Sequence, residues 1–150
     1  MYRLLLFSIF SFFLFISCSE QNENITAKTE FELLQYKWKV ATMEIDGTSF
    51  PTNTGNVNNI RITFNGTNYT YVYPDPTNPS DGPMLTLTGP WRFNDAKTAI
   101  FLDRSQIDEP EFEWEILQLS TGIFKARYKA LNPFNPAVEA NYDFSYTIVI

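Results

Sequence analysis

Histidine is absent from this sequence and cysteine occurs once, as Cys18. Without an imidazole there is no Ser-His or Cys-His nucleophile, no ordinary general base and no usual metal ligand. A single thiol forms no internal disulfide and, with no histidine to join it, no zinc site of the common kind. Positive charge is also scarce. The 11 lysines and arginines face 17 acidic residues, the net charge is -6, and no basic patch stands out, so a nucleic-acid partner is excluded. What is left for catalysis is carboxylates and tyrosines. Glu111, Glu113 and Glu115 alternate onto one face of a strand, where basic residues across the ladder make them surface ion pairs, so the chain is read as a non-enzyme with no cofactor. Its 150 residues suffice for one domain and not for two separate cores.

Residues 1–18 are organised differently from the rest. Arg3 precedes thirteen uncharged, mostly apolar residues, Leu4 to Ile16, followed by Ser17 and Cys18. The run falls short of the ~20 residues a helix needs to cross a bilayer, which favours an export signal over a permanent span. Ser17-Cys18 resembles the lipobox of bacterial lipoproteins, with Phe15 where that family prefers leucine and Leu14 one place further out. The resemblance implies cleavage before Cys18, which then carries the diacylglycerol and acyl chains that hold the protein on a membrane. Ser19 resembles lipoproteins sorted to the outer membrane, and Glu20 and Glu23 resemble the acidic surface-export signals of Bacteroidetes lipoproteins. The expected division is a signal peptide over 1–17, a lipidated Cys18 with a flexible tether over 18–28, and a folded domain over 29–150.

Thr29 and Glu32 form a capping box for two helical turns carrying Phe31 and Leu34. Beyond it the sequence turns to short alternating runs of threonine, isoleucine and aromatics broken by Gly, Pro, Asn and Asp, the habit of an all-β barrel or sandwich. Eight strands are expected, at about 37–45, 57–64, 68–73, 84–93, 98–103, 111–119, 123–130 and 141–150. A two-residue Asn65-Gly66 loop pairs Ile62 with Tyr69 and collects Ile60, Ile62, Phe64, Tyr69 and Tyr71 on one face; a four-residue loop collects the same face. A loop over Asn94 to Lys97 sets Trp91 opposite Ile100. A loop over Ser120 to Gly122 pairs Ile116 with Ala126 and Glu115 with Arg127. The last strand points Tyr142, Phe144, Tyr146, Ile148 and Ile150 inward. Successive hairpins with one wet and one apolar face hide the latter by curling into an eight-stranded antiparallel meander barrel; a two-sheet sandwich is the alternative.

"ELLQYKWKVATMEIDG" resembles the opening of lipocalin-like domains, a short helix and then a tryptophan, here Trp38, entering the first strand; Tyr36 stands where the usual glycine would be. "ITFNGTNYTYVY", "GPWRFNDAKTAIFLD" and "WEILQLSTGIFKARY" resemble the later hairpins of short lipocalin-like lipoproteins common in Bacteroidetes. The resemblance spans most of 29–150 and implies a cup that holds a small apolar molecule. Five tyrosines fall on the inner face, Tyr69, Tyr71, Tyr128, Tyr142 and Tyr146, beside Trp38, Trp91 and Trp114. Such rings either fill an eight-stranded barrel or line a pocket in it, while buried tyrosine hydroxyls demand partners. Trp38, Tyr71, Trp91, Trp114, Tyr128 and Tyr146 are the ligand candidates. Asp75, Asn78 and Asp81 in "YPDPTNPSDGP" offer oxygens to calcium but lack EF-hand spacing, so a solvated loop and no metal are expected. "LNPFNPAVEA" is expected to be a loop exposing Phe134. The whole reads as an outer-membrane, lipid-anchored binding protein, the alternative being a self-filled barrel that serves as an interaction or assembly subunit of the envelope.

Overall fold

The computed structural model describes residues 27–53, 55–75, 78, 81–103, 111–132 and 135–149. The expected export signal, Cys18 and the tether as far as residue 26 lie outside the described residues, as do Phe134 and Ile150. The first element is a five-residue helix, α1 (Glu30–Leu34). Its capping box forms as the sequence dictates: the Thr29 hydroxyl accepts from the Glu32 N–H at 3.2 Å, and the Glu32 carboxylate accepts from the Thr29 N–H at 2.8 Å.

Strands follow as β1 (Lys37–Ile45), β2 (Thr48–Phe50), β3 (Arg61–Asn65), β4 (Asn68–Pro74), β5 (Met84–Phe93), β6 (Ala99–Leu102), β7 (Phe112–Ser120), β8 (Ile123–Asn132) and β9 (Asn135–Ile148). From β3 to β9 each strand pairs antiparallel with the next, β1 pairs with β3 on one side and with β9 on the other, and eight strands close into a barrel. Closure rather than a sandwich leaves no long free edge. The short β2 is an addition to the expected set. It folds back on the end of β1 through Asp46 and Gly47, both at positive φ (49° and 78°), an Asp-Gly hairpin turn.

The expected inner faces hold. Phe64 pairs with Tyr69 and Ile62 with Tyr71, two residues from the register of a two-residue Asn65-Gly66 loop and equal to that of the four-residue alternative; Asn65 pairs with Asn68, so the turn is Gly66-Thr67, with Gly66 at φ 58° in its first position. In the next hairpin Trp91 pairs with Leu102 and Phe93 with Ile100, because the Asn94 carboxamide oxygen accepts from the N–H groups of Thr98 (2.8 Å) and Ala99 (3.1 Å) and enlarges the turn. Each shift is two residues. An even slip preserves the face, which is why the alternation located the core in spite of it. Between β7 and β8 the turn is Thr121-Gly122, and a bulge at Leu117 restores the expected pairing of Ile116 with Ala126 and Glu115 with Arg127.

Two expected boundaries are corrected. The segment from 57 opens as a 3-10 turn (Gly55–Asn59), and the strand begins only at Arg61. "LNPFNPAVEA" is mostly strand: β8 runs to Asn132 and β9 starts at Asn135, the turn being closed by the Asn132 side chain accepting from the Asn135 N–H at 3.2 Å. Pro136 falls where β9 has already lost β1 as a neighbour, since that ladder ends at Tyr142, and an edge tolerates a missing N–H.

The core is aromatic and runs the length of the barrel. Trp38, Trp114, Tyr69, Tyr146 and Phe124 are its largest fully buried side chains, joined by Leu34, Ile62, Ile100 and Leu102. Withdrawing each aliphatic or phenyl side chain from water contributes about 1.5–3 kcal/mol.

Candidate functional site in the barrel interior

The two ends of the barrel are built differently. At one end α1 lies across the strands and is tied down at several points. Trp38 Nε1 donates at 3.1 Å to the Leu34 carbonyl at the helix C-terminus, which also accepts from the Tyr36 N–H at 2.6 Å. Gln35 exchanges two hydrogen bonds with the Gly66 backbone, and Lys97 meets Glu30 at 3.2 Å. Trp91 Nε1 donates to the Gly66 carbonyl at 2.9 Å, and its ring stacks on Phe31 at 5.6 Å and meets Phe64 edge-on at 5.1 Å. Two of the six expected ligand residues, Trp38 and Trp91, thus lie under the helix with their N–H groups engaged by backbone.

The other four come together. Trp114 is the hub: its ring stacks on Tyr128 at 5.5 Å and on Tyr146 at 6.1 Å, and Tyr71 meets it edge-on at 5.2 Å. The stack extends from Tyr128 to Tyr142 (5.2 Å, 1° between planes) and to Phe144 (5.5 Å, 8°), and from Tyr71 to Tyr73 (5.1 Å, 11°). Tyr73 and Phe112 belong to this cluster and were not among the expected ligand residues. Tyr73 shares the inward phase of Tyr69 and Tyr71 on β4, and that parity was the signal for it. Tyr128 rests against Phe112 at 6.2 Å.

The hydroxyls of the inner-face tyrosines differ in how they are engaged. Tyr69 donates to the Asp103 carbonyl at 3.0 Å and Tyr142 to the Leu131 carbonyl at 2.9 Å. The Tyr71 and Tyr128 hydroxyls are engaged with each other. The Tyr146 hydroxyl is fully buried and has no hydrogen-bond partner. Burial, reinforced by neighbouring phenols, pushes the Tyr71, Tyr128 and Tyr146 hydroxyls above the ordinary tyrosine range. No charged or polar residue is buried among the described residues, so the interior is electrically neutral as well as aromatic.

The ladder of β7 with β8 starts at Glu115 and Arg127, while Phe112 to Glu115 pair with Leu102 to Ala99 on β6. Arg127 fastens three strands together, gripping Asp143 on β9 through two hydrogen bonds of 2.6 and 2.7 Å and facing Glu115 on β7 at 3.8 Å. On the outer wall, Arg92 pairs with Glu111 at 2.7 Å and covers the Phe101 ring at 4.2 Å, beside a cleft of about 230 Å³; a second outer cleft of about 370 Å³ lies between Glu44, Lys125 and Leu117. In the 73–83 segment the Asn78 side chain accepts from the Asp81 N–H at 3.4 Å, and the Asn78 N–H donates to the Asp75 carbonyl at 3.0 Å, the bonding of a turn.

Neither the protein-family models nor the curated proteins contain a match to this chain. Solved structures do. A lipocalin-like protein from Bacteroides uniformis aligns over 78% of this chain and 99% of its own, with a TM-score of 0.51 and 13% sequence identity. The fold is lipocalin-like. The bovine odorant binding protein, solved in complex with a selenium-containing odorant, aligns over 83% of this chain and 75% of its own at 10% identity, with a TM-score of 0.47. At such identities the likeness is one of fold, and the site has to be argued from this chain's own residues.

Proposed function

We propose that this protein is a membrane-anchored lipoprotein of the cell envelope whose lipocalin-like barrel binds one small apolar molecule and catalyses nothing. The observation that carries the binding reading is the neutral, aromatic interior around Trp114, in which one buried hydroxyl, that of Tyr146, is unpaired. Ligand sites of this kind are mostly apolar with a few placed polar groups. The half-buried rings of Tyr73, Phe112, Tyr128 and Tyr142 belong to the same cluster and are those best able to move aside for a guest. Native mass spectrometry of the purified protein, before and after organic extraction, tests this reading. An adduct lost on extraction supports it, and an unchanged clean mass contradicts it.

The anchoring reading rests on Arg3, the Leu4–Ile16 run and Ser17-Cys18. Metabolic labelling with a fatty acid should mark the protein in an outer-membrane fraction, and Cys18→Ala should abolish the label and release the protein from the membrane. Label retained in that variant would refute the anchor. A second reading, a self-filled barrel acting as an interaction or assembly subunit, is favoured by the closeness of the ring contacts and by exposed Leu131 (63%) and Val138 (48%) on the overhanging β8–β9 hairpin. It predicts the clean mass.

A further inference from the structure

We infer that the anchored barrel stands with its α1 end toward an anionic lipid surface and its opposite end turned away. The inference rests on the anchoring reading above and adds an orientation and a lipid class to it. Two observations carry it. The first is where the chain enters the fold: Lys28 lies over the Tyr36 ring at 5.0 Å, beside α1, and the chain from Cys18 to Ala27 reaches at most about 30 Å. Lipid on Cys18 therefore holds the barrel by its α1 end. The second is a charge gradient along the wall of β8, β9 and β1, where the registers set the height of each residue. Lys37, Lys39 and Lys125 occupy the rungs next to α1, beside Thr147, Ser145 and Thr42, with no acid among them. Further up the wall turns acidic: Glu44 faces Asp143, Asp46 meets Asn141, and Glu139 lies at the overhang, while Arg127 is bound to Asp143 and Lys129 pairs with Asn141 in the ladder. Asp75 and Asp81, in the connection from β4 to β5, add to this end. Around α1 itself the signs nearly balance, Lys28 and Lys97 against Glu30, Glu32 and Asp95. An anionic surface attracts lysines and repels carboxylates within about a Debye length, so a barrel held by its α1 end gains by keeping that end down. In this orientation the exposed Leu131 and Val138 face the aqueous compartment and not the anchoring bilayer.

The test uses the full acylated chain on vesicles of mixed phosphatidylcholine and phosphatidylglycerol that carry a rhodamine-headgroup lipid as energy-transfer acceptor. With Cys18, the only cysteine, blocked by its lipid, an introduced thiol takes the donor dye. It is placed in turn by Thr121→Cys, in the exposed β7–β8 turn at the α1 end, and by Ala137→Cys, exposed on the overhang at the other. Transfer should be several-fold stronger from position 121 than from position 137. The difference should shrink on pure phosphatidylcholine vesicles and when Lys37→Gln, Lys39→Gln and Lys125→Gln are combined, three surface changes whose folding is checked by near-ultraviolet circular dichroism. Equal transfer from both positions, or stronger transfer from 137, overturns the inference. So does a difference that is unchanged on neutral vesicles and in the lysine variant, because the attachment point alone would then set it. Fatty-acid labelling of the same preparation separates this inference from the anchoring reading: labelled protein with any of those results keeps its anchor and loses the orientation, and unlabelled protein loses both.

Discussion

Tyr71 and Tyr146 bring the same hydroxyl into the same interior and leave it in opposite conditions, and this difference sets what substitution does at each. Removing the Tyr71 hydroxyl breaks its bond to Tyr128, so Tyr71→Phe should cost about 0.5–1.5 kcal/mol. Removing the unpaired Tyr146 hydroxyl relieves a penalty, so Tyr146→Phe should leave stability unchanged or raise it by up to about 1–3 kcal/mol. Urea midpoints of the two variants, measured on extracted protein, check the contrast; a marked loss in Tyr146→Phe would mean that the hydroxyl has a partner in the folded state. Trp38 and Trp91, expected from the sequence to touch a ligand, lie beneath α1 instead. Trp38→Ala should therefore act as a core deletion, costing about 3–5 kcal/mol, with the Leu34 carbonyl losing one of its two donors and keeping the Tyr36 N–H. The residue types were legible because inward parity marks them. Their roles were not, because one-dimensional parity gives the face of a strand but not the height along it, and height separates the residues under the helix from those around Trp114.

At the scale of elements, β9 has the largest role, pairing β8 along one edge and β1 along the other, and it alone closes the barrel. Deleting residues 141–150 removes both ladders at once and should abolish cooperative folding; a soluble truncation with a sharp thermal transition would contradict this. α1 is a small part by comparison. Its five residues depend on the capping box and on the bonds to Trp38 and Gly66, and Thr29→Ala should cost about 0.5–2 kcal/mol without opening the barrel, as read by near-ultraviolet circular dichroism. Strand existence and facing were readable from the period of two. Register was less so: it stayed open between two loops in the β3–β4 hairpin, and in the β5–β6 hairpin the Asn94 side chain sets a turn two residues from the expected one, a slip that leaves the alternation intact. The β8–β9 overhang was hidden by its prolines, which argue against a strand everywhere except at an edge.

The molecule as a whole joins a neutral aromatic interior to an acidic surface, and its stability should respond to pH at the alkaline limit. Tyrosines free in an unfolded chain ionise near about 10, whereas burial keeps Tyr71, Tyr128 and Tyr146 protonated to higher pH in the folded barrel. Above that unfolded value the folded state holds more protons than the unfolded one, so stability falls as pH rises; below it these groups contribute their full share. Tyrosinate absorbance of these residues should therefore appear together with loss of ellipticity, and ionisation of all the tyrosines in a still-folded protein would contradict the placement. The claim on which the functional account turns is that the barrel holds a small apolar guest. A crystal structure of the protein purified without organic extraction tests it most directly. The account predicts density for a small molecule inside the barrel, with the rings around Trp114 displaced from their mutual contacts to admit it; an interior with no such density, identical before and after extraction, would contradict it.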